Sequence, residues 1–128
     1  SACLVGSEMC IRDRLKGAHI LQIGLAYKRD VEDWQESPAL RVLHLLEQDG
    51  AVVDYHDPHI PSMREEDGRL RHSTLLTPDA LARATCVVIA TDHSSIDWGF
   101  VVRHAHVVLD TRNATRRVDE GREKVVLL

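Results

Sequence analysis

At 128 residues, 44% of them apolar and 28% charged, the chain has the size and composition of one ordinary globular domain with enough apolar side chains for a core. Sixteen basic residues against twenty acidic ones leave a net charge of −4, which gives no electrostatic pull toward nucleic acid or an anionic membrane surface. No apolar run approaches the roughly 20 residues that span a bilayer, and the chain holds no internal repeat and no low-complexity tract.

Residues 1–14 stand apart. The stretch from Cys3 through Cys10 to Arg14 has no period and no fit to the strand that follows. It looks like the translated sequence of an adaptor used in shotgun sequencing libraries, so it is read as a non-native adaptor-derived arm, with a natural N-terminal arm as the alternative. The domain is then 15–128, and the native polypeptide is expected to continue upstream of Leu15. With Cys3 and Cys10 set aside, Cys86 remains, inside the apolar run Cys86–Ala90, where a buried and inert thiol is expected. No disulfide framework and no cysteine metal site follow, and a reducing, cytoplasmic location is the default.

His19–Ala26 reads as a short buried strand. Ser37-Pro38 then supplies a helix start, Ser as N-cap and Pro at the first helical position. Leu40, Leu43 and Leu46 recur on one face, joined by Val42 and Leu45, and Gly50 ends the helix. Ala51–Tyr55 is a second strand, completing a βαβ unit. Residues 62–73 are polar and read as a surface loop. Thr77-Pro78 repeats the cap pattern for a short helix to Ala84. Cys86–Ala90 is a third strand, Ile96–His104 a helix, His106–Asp110 a fourth strand and Val125–Leu128 a possible last one. The alternation predicts an α/β fold, a Rossmann-like open parallel sheet with helices on both faces.

Chemistry-bearing residues gather just beyond the strands. Lys28 follows the first strand beside Tyr27, with a helix start close behind; its ammonium can reach a phosphate or a sugar oxygen, while the bland reading is a solvated loop lysine. Arg112, in Asp110-Thr-Arg-Asn113, emerges from the same sheet edge, and its planar fork suits phosphate or hydroxyls; the alternative is a pairing with Asp110 or Asp92. Asp30 and Asp33 could orient Lys28, and Glu36 with Ser37 belongs at the helix cap. His93 beside Asp92 and the pair His56 and His59 around Asp57 lack a third ligand at suitable spacing. Hydrogen-bonded loop histidines, with Asp57 fixing its turn, are the expectation, and no metal is assigned. There is no Gly-x-Gly-x-x-Gly, no Walker loop and no Gly-x-Ser-x-Gly elbow.

The run Gly24–Ala39, with Tyr55-His-Asp-Pro58, Thr91-Asp-His93 and Asp110-Thr-Arg-Asn113, resembles the C-terminal, UDP-binding domain of the UDP-glucose/GDP-mannose dehydrogenase family over residues 15–118. Within the family it looks most like the UDP-N-acetylhexosamine 6-dehydrogenases. These enzymes oxidise the C6 hydroxyl of a nucleotide sugar to a carboxylate with two NAD molecules, in the service of surface polysaccharide synthesis. The resemblance implies that Tyr27, Lys28 and Arg112 bind the UDP-sugar. It also implies that NAD and the catalytic cysteine belong to an N-terminal NAD-binding domain absent from this sequence, and that the complete enzyme is a homo-oligomer. The fragment alone is then inactive. Gln35 stands where the family commonly has an Arg that assists NAD phosphate binding, and a neutral amide cannot supply that charge. The rival reading is a stand-alone nucleotide-binding or structural dimerisation module without catalysis.

Overall fold

A computed structural model of the chain describes residues 16–26 and 37–127. In chain order these form β1 (His19–Ile23), α1 (Pro38–Gln48), β2 (Val52–His56), β3 (Ser62–Arg64), β4 (Leu70–His72), α2 (Pro78–Arg83), β5 (Cys86–Ile89), α3 (Trp98–His104), β6 (Val108–Asp110) and β7 (Val125–Leu127). The main sheet runs β2-β1-β5-β6-β7 with every pairing parallel. Residues 1–15 and 27–36 lie outside the described residues, and with them the N-terminal arm.

The expected α/β architecture is present. Side chains alternate along each strand, so Leu21, Ile23, Val87 and Ile89 enter one core with Leu81 of α2 and Val101 and Val102 of α3. Ile20, Val53, Tyr55 and Val88 face the other way and pack with Leu43 of α1. Two separate cores, one on each face, are what helices on both sides of a parallel sheet require.

Local chemistry sets the helix ends. Ser37 Oγ accepts the Ala39 N–H at 3.1 Å, Thr77 Oγ1 the Ala80 N–H at 3.1 Å, and the Asp97 carboxylate the Phe100 N–H at 3.1 Å. Gly50, at φ +94°, closes α1 with a Schellman pair, Ala51 N–H to Leu46 C=O and Gly50 N–H to Glu47 C=O.

Residues 62–73, expected as a loop, instead contain an antiparallel hairpin, β3 with β4. Asp67-Gly68 makes its turn: Gly68 takes φ +90° and Asp67 accepts the Arg69 N–H at 2.9 Å. Met63 is buried in the α1-side core, beside Ile60. Arg71 fastens the hairpin. Its guanidinium donates to both Glu47 oxygens (2.9 and 3.2 Å), to Glu65 (3.2 Å) and to the Val53 carbonyl (2.9 Å). Three-residue strands offer almost no period to read, and their anchors lie on α1 and β2.

The sheet register levels the strand ends. Ile23 lies beside both His56 and Ile89, and Ile89 beside Asp110. The chain leaves β1 for β2 on one side and returns to β5 on the other, so the order reverses at β1 and β5. In open α/β sheets ligands bind at that crevice, outside the carboxyl ends of the strands.

Gly24 lies in it. At φ +100° it approaches the loop after β5 so closely that an added Cβ would sit 2.4 Å from Thr91 Cβ. Gly24→Ala therefore adds backbone strain to overpacking and should destabilise the fold by more than about 2 kcal/mol, read as a lowered midpoint in urea unfolding.

Candidate functional site

Two buried carboxylates organise the carboxyl edge. Asp57, directly after β2, is shut from solvent. Its Oδ2 accepts the N–H groups of Leu25 (2.8 Å) and Ala26 (3.0 Å), just past β1, and the Nε2 of His93 (2.8 Å), past β5. Oδ1 accepts the His59 N–H at 2.8 Å, the local turn that was expected. Burial pushes the Asp57 carboxyl up, but His93 and these backbone donors outweigh it and hold the group below the ordinary carboxylate value. The neighbouring Tyr55 goes the other way: burial first and the Asp57 charge second push its hydroxyl up to about 12.

Ala26 is held at both ends of its peptide. Its C=O accepts from Thr91 Oγ1 (3.0 Å) and Ser37 Oγ (3.2 Å) while its N–H goes to Asp57. Gln22, on β1, adds a buried amide that donates to the Gly24 and Ala39 carbonyls, tying the strand end to the start of α1. A lone Gln in an apolar strand gave no sign of this task.

Asp110, the last residue of β6, does for its own loop what Asp57 does across strands. Oδ1 accepts the N–H of Arg112 (3.0 Å) and Ala114 (3.1 Å); Oδ2 accepts the N–H and hydroxyl of Thr115 (2.9 and 2.7 Å). Asn113 adopts a left-handed φ of 56° within this tight loop. Burial raises the Asp110 carboxyl, and the Thr115 N–H and hydroxyl, with the Ala114 and Arg112 N–H groups, more than reverse it.

Arg112 therefore reaches Asp110 through its backbone, not through its side chain. The guanidinium is exposed and makes no hydrogen bond or ion pair with the described residues. Tyr27, Lys28, Asp30, Asp33, Gln35 and Glu36 lie outside the described residues. Ser37 caps α1 as expected. His93 is a fully buried loop histidine held by a hydrogen bond, also as expected, but its partner is Asp57, not Asp92. Cys86 is half-buried, with burial raising its thiol pKa, in keeping with an inert thiol.

A cleft of about 660 Å³ opens beside this edge, between the loop after β5 and the segment after β6. Trp98, Arg103, Arg116 and Arg117 line it together with the acidic Asp92 and Asp119. Nothing in the sequence reading pointed to residues 114–120. Among the described residues no three His, Cys, Asp or Glu side chains are placed to hold a metal, and no helix is long and apolar enough to cross a membrane. The Asp57–His93 pair resembles an acid–base couple, but both members are sealed from solvent and from any substrate.

Both carboxylates have folded pKa values below their ordinary 3.8, so each stabilises the fold above that value and loses its contribution as the pH falls through the lower folded value. Asp110→Asn should melt below the wild type at about pH 7, with the gap in Tm narrowing by about pH 3. A gap constant across that range would show that the Asp110 charge does not hold the loop.

The sequence model of the UDP-glucose/GDP-mannose dehydrogenase family, UDP binding domain, matches residues 21–117. The chain is 31% identical over 110 residues to the UDP-N-acetyl-D-mannosamine dehydrogenase of Pyrococcus horikoshii, covering 81% of this chain and 24% of that protein. It is also 31% identical over 123 residues to the UDP-glucose 6-dehydrogenase AglM of Haloferax volcanii, covering 91% and 28%. The native structure of the UDP-N-acetyl-mannosamine dehydrogenase Cap5O from Staphylococcus aureus superposes with a TM-score of 0.63 at 30% identity, over 98% of this chain and 29% of that one. The chain thus spans 15% to 28% of the length of the curated relatives it matches. On the match to residues 21–117, the chain belongs to the UDP-glucose/GDP-mannose dehydrogenase family, as its UDP binding domain.

Proposed function

We propose that this chain is the UDP-sugar-binding C-terminal part of an NAD-dependent nucleotide-sugar 6-dehydrogenase acting on a UDP-N-acetylhexosamine, and that the oxidation itself is carried out by polypeptide outside this sequence. The observation that carries the reading is the exposed, unpaired Arg112 guanidinium on a loop clamped by Asp110 at the carboxyl edge of the sheet. Arg112 follows β6, and Lys28 follows β1 with β5 between them, so the two loops leave the sheet about 10 Å apart at the usual interstrand spacing. Cationic residues on both loops suit a diphosphate, and Tyr27, next to Lys28 in sequence, suits a base or ribose.

The described strand ends do not suit the other nucleotide, NAD. A pyrophosphate approaches a glycine-rich turn through space left by missing side chains. The space at Gly24 is filled by Thr91, and no second or third glycine follows. Binding of NAD is therefore assigned to the absent N-terminal domain, and Gln35 removes one charge that would have helped from this side. The nucleotide-sugar role also favours a cytoplasmic, homo-oligomeric enzyme in surface polysaccharide synthesis.

Adding UDP to the 128-residue chain should raise its Tm, and Arg112→Ala should weaken UDP binding in calorimetry by about tenfold or more, the loss expected for one charge-assisted hydrogen bond. A chain that melts cooperatively but is unmoved by UDP, and that self-associates, would favour a structural dimerisation module. In a complete enzyme carrying this domain, Lys28→Ala should raise the substrate KM and lower kcat/KM; unchanged kinetics would remove Lys28 from the site.

A further inference from the structure

The proposed ligand groups sit on loops, and a loop residue contacts a ligand well only if its backbone is fixed. The last described residue before Tyr27 and Lys28 is Ala26, and it is buried and bonded on both sides. The donor and acceptor that fix it come from other strands: Asp57 after β2 takes the N–H, and Thr91 after β5 gives to the C=O. Asp57 is in turn held by His93 at 2.8 Å, two residues beyond Thr91. His93 is fully buried, with its ring stacked at a tilt on His59, centroids 4.6 Å apart. The pair joins the loops after β2 and β5 and is closed to solvent.

We infer that Asp57 and His93 are positioning residues for the ligand-binding edge: the carboxylate fixes the chain at Leu25 and Ala26, where it leaves β1 toward Tyr27 and Lys28, and His93, on the loop after β5, holds that carboxylate in place. This rests on the proposed UDP-sugar reading. The geometry also says which atoms matter. Both Asp57 oxygens accept, one from three donors and one from the His59 N–H, so an amide at this position must turn its NH2 against at least one N–H. His93 contributes a single ring N–H toward Asp57, which the terminal amide of Gln can replace and a Leu cannot.

The test uses the whole 128-residue chain and the variants Asp57→Asn, His93→Leu and His93→Gln, with UDP as the probe. Amide hydrogen exchange at Leu25 and Ala26 reads the clamp without ligand, and calorimetry with UDP reads its consequence. The expected result is exchange at these two amides at least tenfold faster in Asp57→Asn and His93→Leu, with β6 amides unchanged. The same variants should bind UDP at least tenfold more weakly, and His93→Gln should return both readouts to within about threefold of the wild type. If Asp57→Asn does not fold, the His93 pair alone decides. Unchanged exchange at Leu25 and Ala26 in His93→Leu, or faster exchange with UDP affinity intact, overturns the inference. Failure of the UDP reading looks different: the wild-type chain itself would not bind UDP, while the exchange data would still report whether the clamp exists.

Discussion

A carboxylate sealed from water must find its hydrogen bonds inside the protein, and Asp57 finds them in the loops that follow three strands. Its acceptors collect the N–H groups of Leu25, Ala26 and His59 and the ring of His93. Leaving one such buried group unmatched costs about 1–3 kcal/mol, so the four donors are effectively compelled to stay. The chain leaving β1 is held by these bonds, with Gly24 pressed against Thr91 and the Ala26 carbonyl shared by Thr91 and Ser37.

Asp110 repeats the device at shorter range. Where Asp57 gathers donors separated by up to 36 residues, Asp110 serves its own loop out to Thr115, and Arg122 then donates to the Thr115 carbonyl at 2.7 Å. One carboxylate joins strands to each other and the other shapes a single turn. Both spend their negative charge mainly on backbone N–H groups, with the His93 ring added at Asp57 and the Thr115 hydroxyl at Asp110. The Arg112 guanidinium is left exposed, with no hydrogen bond or ion pair to the described residues, which is the reverse of the Asp–Arg pairing that a sequence such as Asp110-Thr-Arg-Asn113 first brings to mind.

The chain matches the UDP binding domain of its family, and at the carboxyl edge of its sheet Arg112 is exposed while Asp57 and His93 are buried. The Asp57–His93 couple joins the loops after β2 and β5 away from solvent. The hairpin β3–β4, pinned by Arg71 to Glu47, Glu65 and the Val53 carbonyl, completes the α1-side core under β2, the strand from which Asp57 projects.

Short-range chemistry was legible in the residues alone. Ser37-Pro38 and Thr77-Pro78 announced two helix starts, Gly50 a helix end, and the spacing of apolar runs a parallel sheet, because each depends on neighbours within a few positions. The motif around Arg112 and the family itself could be read the same way. The hairpin at 62–73 could not, although Asp67-Gly68 marked its turn, because three-residue strands carry no measurable period. Nor could the contacts of Gln22, the reach of Asp57 to Leu25, Ala26 and His93, or the cleft beside Trp98 and Arg116. Those depend on which strand ends lie level with one another. That is settled by sheet order and register, since a carboxylate after β2 can meet a histidine after β5 only once β1 has been placed between them.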